Sequence, residues 1–114
     1  MDEWKDLKGA VKALAGVARL SMVYHLAKHN EMTVTSLADL LELSQPLVSW
    51  HLRKLRRAGL AETRRVGRQV YCSLNKEYFL LCLQRLERLV DPAVQIETFP
   101  VGAELMEAEV SSEN

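Results

Sequence analysis

The sequence predicts a mainly α domain with one β-hairpin placed before its last helix. Three observations carry this. Apolar residues recur at spacings of three and four in several separate stretches, the period of a helix with one buried face. A short segment, Gln69-Val70-Tyr71-Cys72-Ser73-Leu74, instead alternates Val70, Cys72 and Leu74 with Gln69 and Ser73, the period of a strand. Gly67-Arg68 separates that segment from Leu60–Val66, and two such runs around a glycine-containing turn read as a hairpin.

The elements follow in order. Trp4, Leu7, Val11 and Leu14 form the stripe of a first helix over 4–14. Gly16 loosens the chain before a second helix over 17–28, with Leu20, Val23, Leu26 and Ala27 expected to face inward. Thr33 or Thr35 can cap a short third helix carrying Leu37, Ala38, Leu40 and Leu41. Glu42-Leu43-Ser44 makes a tight turn. Ser44 is a good N-cap for a fourth helix, and Pro46 suits its first turn, where the missing N–H costs little. That helix is expected to run to Ala58, with Gly59 just past its end. A last helix spans 76–90 and stops before Pro92. The order α-α-α-α-β-β-α is that of a winged helix-turn-helix with a flanking helix at each end. One domain is expected over 1–95, followed by an acidic, mobile tail over 96–114.

At 114 residues the chain suits a single small domain that dimerisation would help to stabilise. Its longest apolar run, Tyr78 to Leu83, is far too short for a membrane span. The polar start Met1-Asp2-Glu3-Trp4-Lys5 opens no secretory leader. Two cysteines without a framework pattern suit a reducing, cytoplasmic setting.

The net charge is zero, but its distribution is uneven. Residues 45–76 carry eight cations against Glu62 alone, a net of +7, whereas residues 77–114 carry a net of −6. A phosphate backbone responds to the local field, so the neutral total does not argue against nucleic acid. The basic segment coincides with the fourth helix and the hairpin. Val48, Leu52 and Leu55 occupy one face of that helix, and Gln45, Ser49, Arg53 and Arg56 another. A recognition helix needs this division, because Gln can pair with adenine, Arg with guanine, and Ser with several acceptors. An ordinary solvated amphipathic face would show the same division. Arg64, Arg65 and Arg68, concentrated in the hairpin, tip the reading toward double-stranded DNA.

The run Leu43-Ser44-Gln45-Pro46-Leu47-Val48-Ser49-Trp50-His51-Leu52-Arg53-Lys54-Leu55-Arg56-Arg57-Ala58-Gly59-Leu60 resembles the signature of the ArsR/SmtB family of bacterial repressors. Gly67-Arg68-Gln69-Val70-Tyr71 is similar to that family's wing, and Ala13-Leu14-Ala15 with Arg19-Leu20 to its N-terminal motif. The resemblance covers residues 8–90. It implies a homodimer built from the first and last helices, bound to an operator and released by an inducer. It also implies that Gln45, Ser49, His51 and Arg53 face the major groove and that Arg68, with Arg64 and Arg65, serves the wing. With Ser44, Trp50 and Gln69 these make the candidate DNA-binding set. Two departures stand out: Gly16-Val17-Ala18 replaces the family's usual Asp-Pro-Thr, and Trp50 replaces a smaller or polar residue. Trp50 would stack on sugar or a thymine methyl if exposed, and join the core if buried.

The family's metal sites are not expected here. Its Cys-x-Cys pair is replaced by Thr33-Val34-Thr35, and hydroxyls do not replace thiolates. The last helix has no histidine. His25 and His29 are spaced i, i+4, which can hold a metal, but no third ligand accompanies them. No cofactor is expected. Trp4, Leu7, Val11, Phe79, Cys82, Leu83, Leu86 and Val90 form the expected dimer face. Cys82 is either a small hydrophobe within it or a thiol sensor. No catalytic motif is present, since Ser49 and His51 lie two apart on one helix and do not face each other. The alternative to a DNA-binding regulator is a winged helix used only for protein contact.

Overall fold

A computed structural model describes residues 3–95, 101–103, 105 and 106. Its elements are α1 (Glu3–Leu14), α2 (Val17–His29), β1 (Glu31–Thr33), α3 (Val34–Leu41), α4 (Gln45–Arg57), β2 (Ala61–Val66), β3 (Gln69–Leu74) and α5 (Lys76–Leu89). The helices lie within a residue or two of their expected bounds. This is a winged helix-turn-helix, with α3 and α4 as its helical pair and β2–β3 as its wing. Most of the acidic tail, 96–114, lies outside the described residues.

The punctuation residues act as their chemistry suggests. Thr33, not Thr35, caps α3, its Oγ1 accepting from the Ser36 N–H at 3.0 Å. Glu42 ends α3 in the left-handed region at φ 57°. Ser44 caps α4, its hydroxyl accepting from the Leu47 N–H at 3.3 Å. Gly59 follows the α4 C-cap at φ +84°, and a Cβ there would press on the Tyr78 ring at 3.2 Å. In the hairpin, Val66 pairs with Gln69 across Gly67-Arg68. Gly67 has φ +60° and Arg68 has no positive φ, the pattern of a type II′ turn with glycine first.

The sheet has three strands rather than the expected two. Strand β1 pairs antiparallel with β3, Met32 opposite Cys72, giving the order β1-β3-β2. One face of this sheet is inward: Cys72 is fully buried and Met32 packs against the core. The other face carries Glu31, Arg64 and Tyr71.

The core joins every helix to the sheet. Met22, Leu26, Leu37, Val48, Leu55, Leu60 and Cys72 are its largest fully buried side chains. One inward expectation fails: Leu20 is 53% exposed, and Met22 takes its place. The helix α2 is apolar around much of its circumference, so periodicity left its rotation undetermined. The observed rotation buries Met22, Val23 and Leu26.

Candidate nucleic-acid interface

Helix α4 is fixed by its apolar face. Val48, Leu52 and Leu55 are buried, while Gln45, Ser49, Arg53 and Arg56 are all exposed. The wing stands beside that exposed face. Arg56 donates through Nη1 to Thr63 Oγ1 at 2.9 Å, tying α4 to β2. Ser49, Arg53 and Arg56 line a cleft of about 160 Å³ together with Thr63 and Val70 of the wing.

The wing arginines divide. Strand alternation puts Arg65 on the side of the sheet that carries Thr63, toward α4. Arg68 sits in the turn, and with Arg65 and Gln69 it is exposed. Arg64 is on the opposite face. It donates to both Glu31 carboxylate oxygens, at 2.9 and 2.7 Å, and its guanidinium lies 4.7 Å from the Tyr71 ring centre. This hydrogen-bonded pairing holds the Glu31 carboxyl below its usual range and keeps Arg64 charged. The three arginines expected to act together therefore do not share one face.

Helix geometry also separates the α4 residues. At 100° per residue, Trp50 is rotated by about 100° from Ser49 and His51 by about 200°. His51 is half-buried, its Nδ1 3.1 Å from Arg19 Nη1. An arginine can only donate, so Nδ1 is the acceptor of a neutral imidazole. Burial, with the charges of Arg19 and Lys54, lowers the His51 pKa in agreement with that assignment. Arg19 is itself anchored, its Nε donating to the Ala13 carbonyl at 2.6 Å. Trp50 is 45% exposed, with the Lys54 ammonium 4.6 Å from its ring centre. Gln45, Ser49 and Arg53 thus share a face that His51 does not, and the Ser44 hydroxyl is engaged in capping.

The expected pairing face is partly consumed within the chain. Leu7 and Cys82 are 5% and 4% exposed, buried inside the protomer. Val11, Leu83, Leu86 and Val90 remain exposed, joined by Leu80 and Leu89. Trp4 and Phe79 are half-buried. Glu3 bridges α1 to α5 through Arg85 at 3.7 Å and Arg88 at 2.7 Å.

Neither cysteine has the surroundings of a reactive thiol. Cys72 donates to the Met32 carbonyl at 3.2 Å, and burial pushes its pKa up to about 11. Burial also raises the Cys82 thiol. Reactive thiols are accessible and have lowered pKa values. Iodoacetamide at pH 8 should therefore label both residues slowly in the native protein and rapidly in denaturant, as read by mass spectrometry. Rapid native labelling of Cys82 would favour the thiol-sensor reading. Among the described residues no group of three His, Cys, Asp or Glu side chains could hold a metal. The His25 and His29 rings stack with centroids 6.5 Å apart.

Comparison with known proteins places this arrangement. Residues 17–63, from the start of α2 into the wing, match the family model described as bacterial regulatory protein, arsR family. The transcriptional activator HlyU of Vibrio cholerae is 38% identical over 85 residues, 75% of this chain and 78% of that protein. The chain belongs to the ArsR family. The arsenic resistance transcriptional regulator ArsR1 of Pseudomonas putida is 44% identical to this ArsR-family chain over 66 residues, which are 58% of the chain and about half, 52%, of that relative. The crystal structure of NolR from Sinorhizobium fredii superimposes with a TM-score of 0.62 at 34% identity, covering 77% of this chain and 87% of that one.

Sequence reasoning missed Glu31 as the partner of Arg64 and Thr63 as the tether of Arg56. Alternation along β2 was the available signal, since it sets Arg64 and Arg65 on opposite faces. It also missed the cationic row Lys54 and Arg57 behind Trp50, whose i+4 and i+7 spacing puts the three on one side of α4.

Proposed function

We propose that this chain is a DNA-binding transcriptional regulator that reads the major groove with Gln45, Ser49 and Arg53 and holds the adjacent backbone with Arg65 and Arg68. One observation carries the reading: the polar face of α4 and one face of the wing open on the same side, and their cations have no carboxylate partner among the described residues. Gln, Ser and Arg on an exposed helix can reach base edges, while wing cations contribute position rather than sequence information. Arg64, occupied by Glu31, is outside the set. The family membership and the names of the relatives support the same reading.

Two copies would pair through the exposed apolar side of α5 with Val11 of α1, as a homodimer on an operator with repeated half-sites. The simplest output is repression, relieved when an inducer favours a form that does not bind DNA. A cytoplasmic location accompanies that role, and no helix among the described residues is long and apolar enough to cross a membrane.

The test is binding to a duplex selected by the protein from a random-sequence pool. Six or more phosphate contacts per dimer predict about a thousandfold loss of affinity between 50 and 200 mM salt. An unrelated duplex should bind at least about a thousandfold more weakly. Failure to select any sequence, with binding flat in salt, would favour a protein-contact module.

A further inference from the structure

A second charged cleft lies on the far side of α4. Lys12 and Ala13 of α1, Arg19 of α2, and Trp50, Lys54 and Arg57 of α4 line a space of about 440 Å³ that contains no carboxylate. Elsewhere among the described residues, Glu3 is engaged with Arg85 and Arg88, and Glu31 with Arg64. Burial first, and then the charges of Arg19 and Lys54, lower the pKa of His51 beside Trp50. The cleft is built rather than incidental. Arg19 is held by the Ala13 carbonyl and His51, and the Trp50 ring is held between His51 and the Lys54 ammonium.

We propose that this cleft is a second DNA-contacting surface, in which Lys54 and Arg57 bind sugar-phosphate backbone beside the groove read by Gln45, Ser49 and Arg53. The inference rests on the DNA-binding reading above. Continuity with that face chooses the occupant. Trp50, Lys54 and Arg57 extend from the same helix, their mean direction turned by roughly 100° from that of Gln45, Ser49 and Arg53, and the two sets adjoin where Arg57 follows Arg53 by one turn. A helix lying in a major groove has backbone on both flanks. The wing side meets one strand through Arg65 and Arg68, and this cleft meets the other. The exposed part of Trp50 supplies an apolar contact for a deoxyribose between two phosphates.

The test compares the wild-type chain with K54Q/R57Q on a duplex selected from a random pool by the wild type. Both side chains are exposed, so the variant should keep its helical circular dichroism and melting midpoint. The slope of log affinity against log salt should become shallower by about 1.8 per protomer, an effect of about tenfold per protomer between 50 and 200 mM. The preferred sequence should not change. Uncharged methylphosphonates, placed one at a time along the flanking backbone, should include a position that weakens the wild type but not the variant. An unchanged slope, or equal losses at every methylphosphonate in both proteins, overturns the inference while leaving specific binding intact. If the wild type selects no duplex, the DNA-binding reading itself fails.

Discussion

Leu55→Ala should lower the stability of this domain by about 2–5 kcal/mol, the range for removing a fully buried leucine side chain and leaving a cavity. Leu55 is 0% exposed, at the contact of α4 with the core. For a domain near 100 residues each kcal/mol moves the melting midpoint by about 4–8 °C, so the midpoint should fall by about 8 °C or more. Net stabilities are commonly about 5–15 kcal/mol, which makes this a large fraction of the total. The effect should reach function as well, because Leu55 helps to fix the rotation of α4 that presents Ser49 and Arg53. Leu55→Met, which nearly conserves volume, should cost less than about 1.5 kcal/mol. Thermal denaturation followed by circular dichroism checks both. Equal, small losses would mean that α4 is not held through this contact.

Arg53→Ala should weaken binding to the selected duplex by about 1–3 kcal/mol, roughly 5- to 150-fold, and relax preference at one base pair. The fork of a guanidinium matches the O6 and N7 of guanine, so the loss should concentrate on a guanine-containing position. Arg68→Ala provides the contrast. A wing cation on the backbone should weaken binding to all sequences alike and reduce the salt slope by about one. The two patterns are separated by measuring each variant against a set of single-base substitutions at two salt concentrations. A uniform loss for Arg53→Ala would remove it from base readout and assign it to the backbone.

The ends and the buried face of helix α4 were legible in the sequence. Ser44, Pro46 and Gly59 mark its ends, and the spacing of Val48, Leu52 and Leu55 sets its rotation, all within about fifteen consecutive residues. Local signals of this kind need no knowledge of distant chain. Strand β1 was not legible for the opposite reason. It is three residues long, and what makes it a strand is pairing with β3, forty residues further on. The position of Leu20 was missed because α2 has apolar residues on several sides and only packing selects among them. His51 was grouped with Ser49 through family resemblance, although two residues of helix turn the side chain to the other side. The division of Arg64 from Arg65 was half legible. Alternation separates them, but the carboxylate that holds Arg64 comes from Glu31, thirty-three residues earlier.

That ion pair has a wider implication for how such a molecule could be switched. The wing is joined to the rest of the domain by β1 pairing with β3, by Glu31 gripping Arg64, and by Arg56 reaching Thr63. Each link is modest, and an exposed ion pair alone contributes little. Together they tie the wing to the helical body, with Arg56–Thr63 as the link to α4. A signal that released DNA would then have little freedom to fold the wing away. In the proposed dimer it would act more readily on the joint between the two protomers, changing their spacing or relative tilt until both no longer fit one face of the duplex.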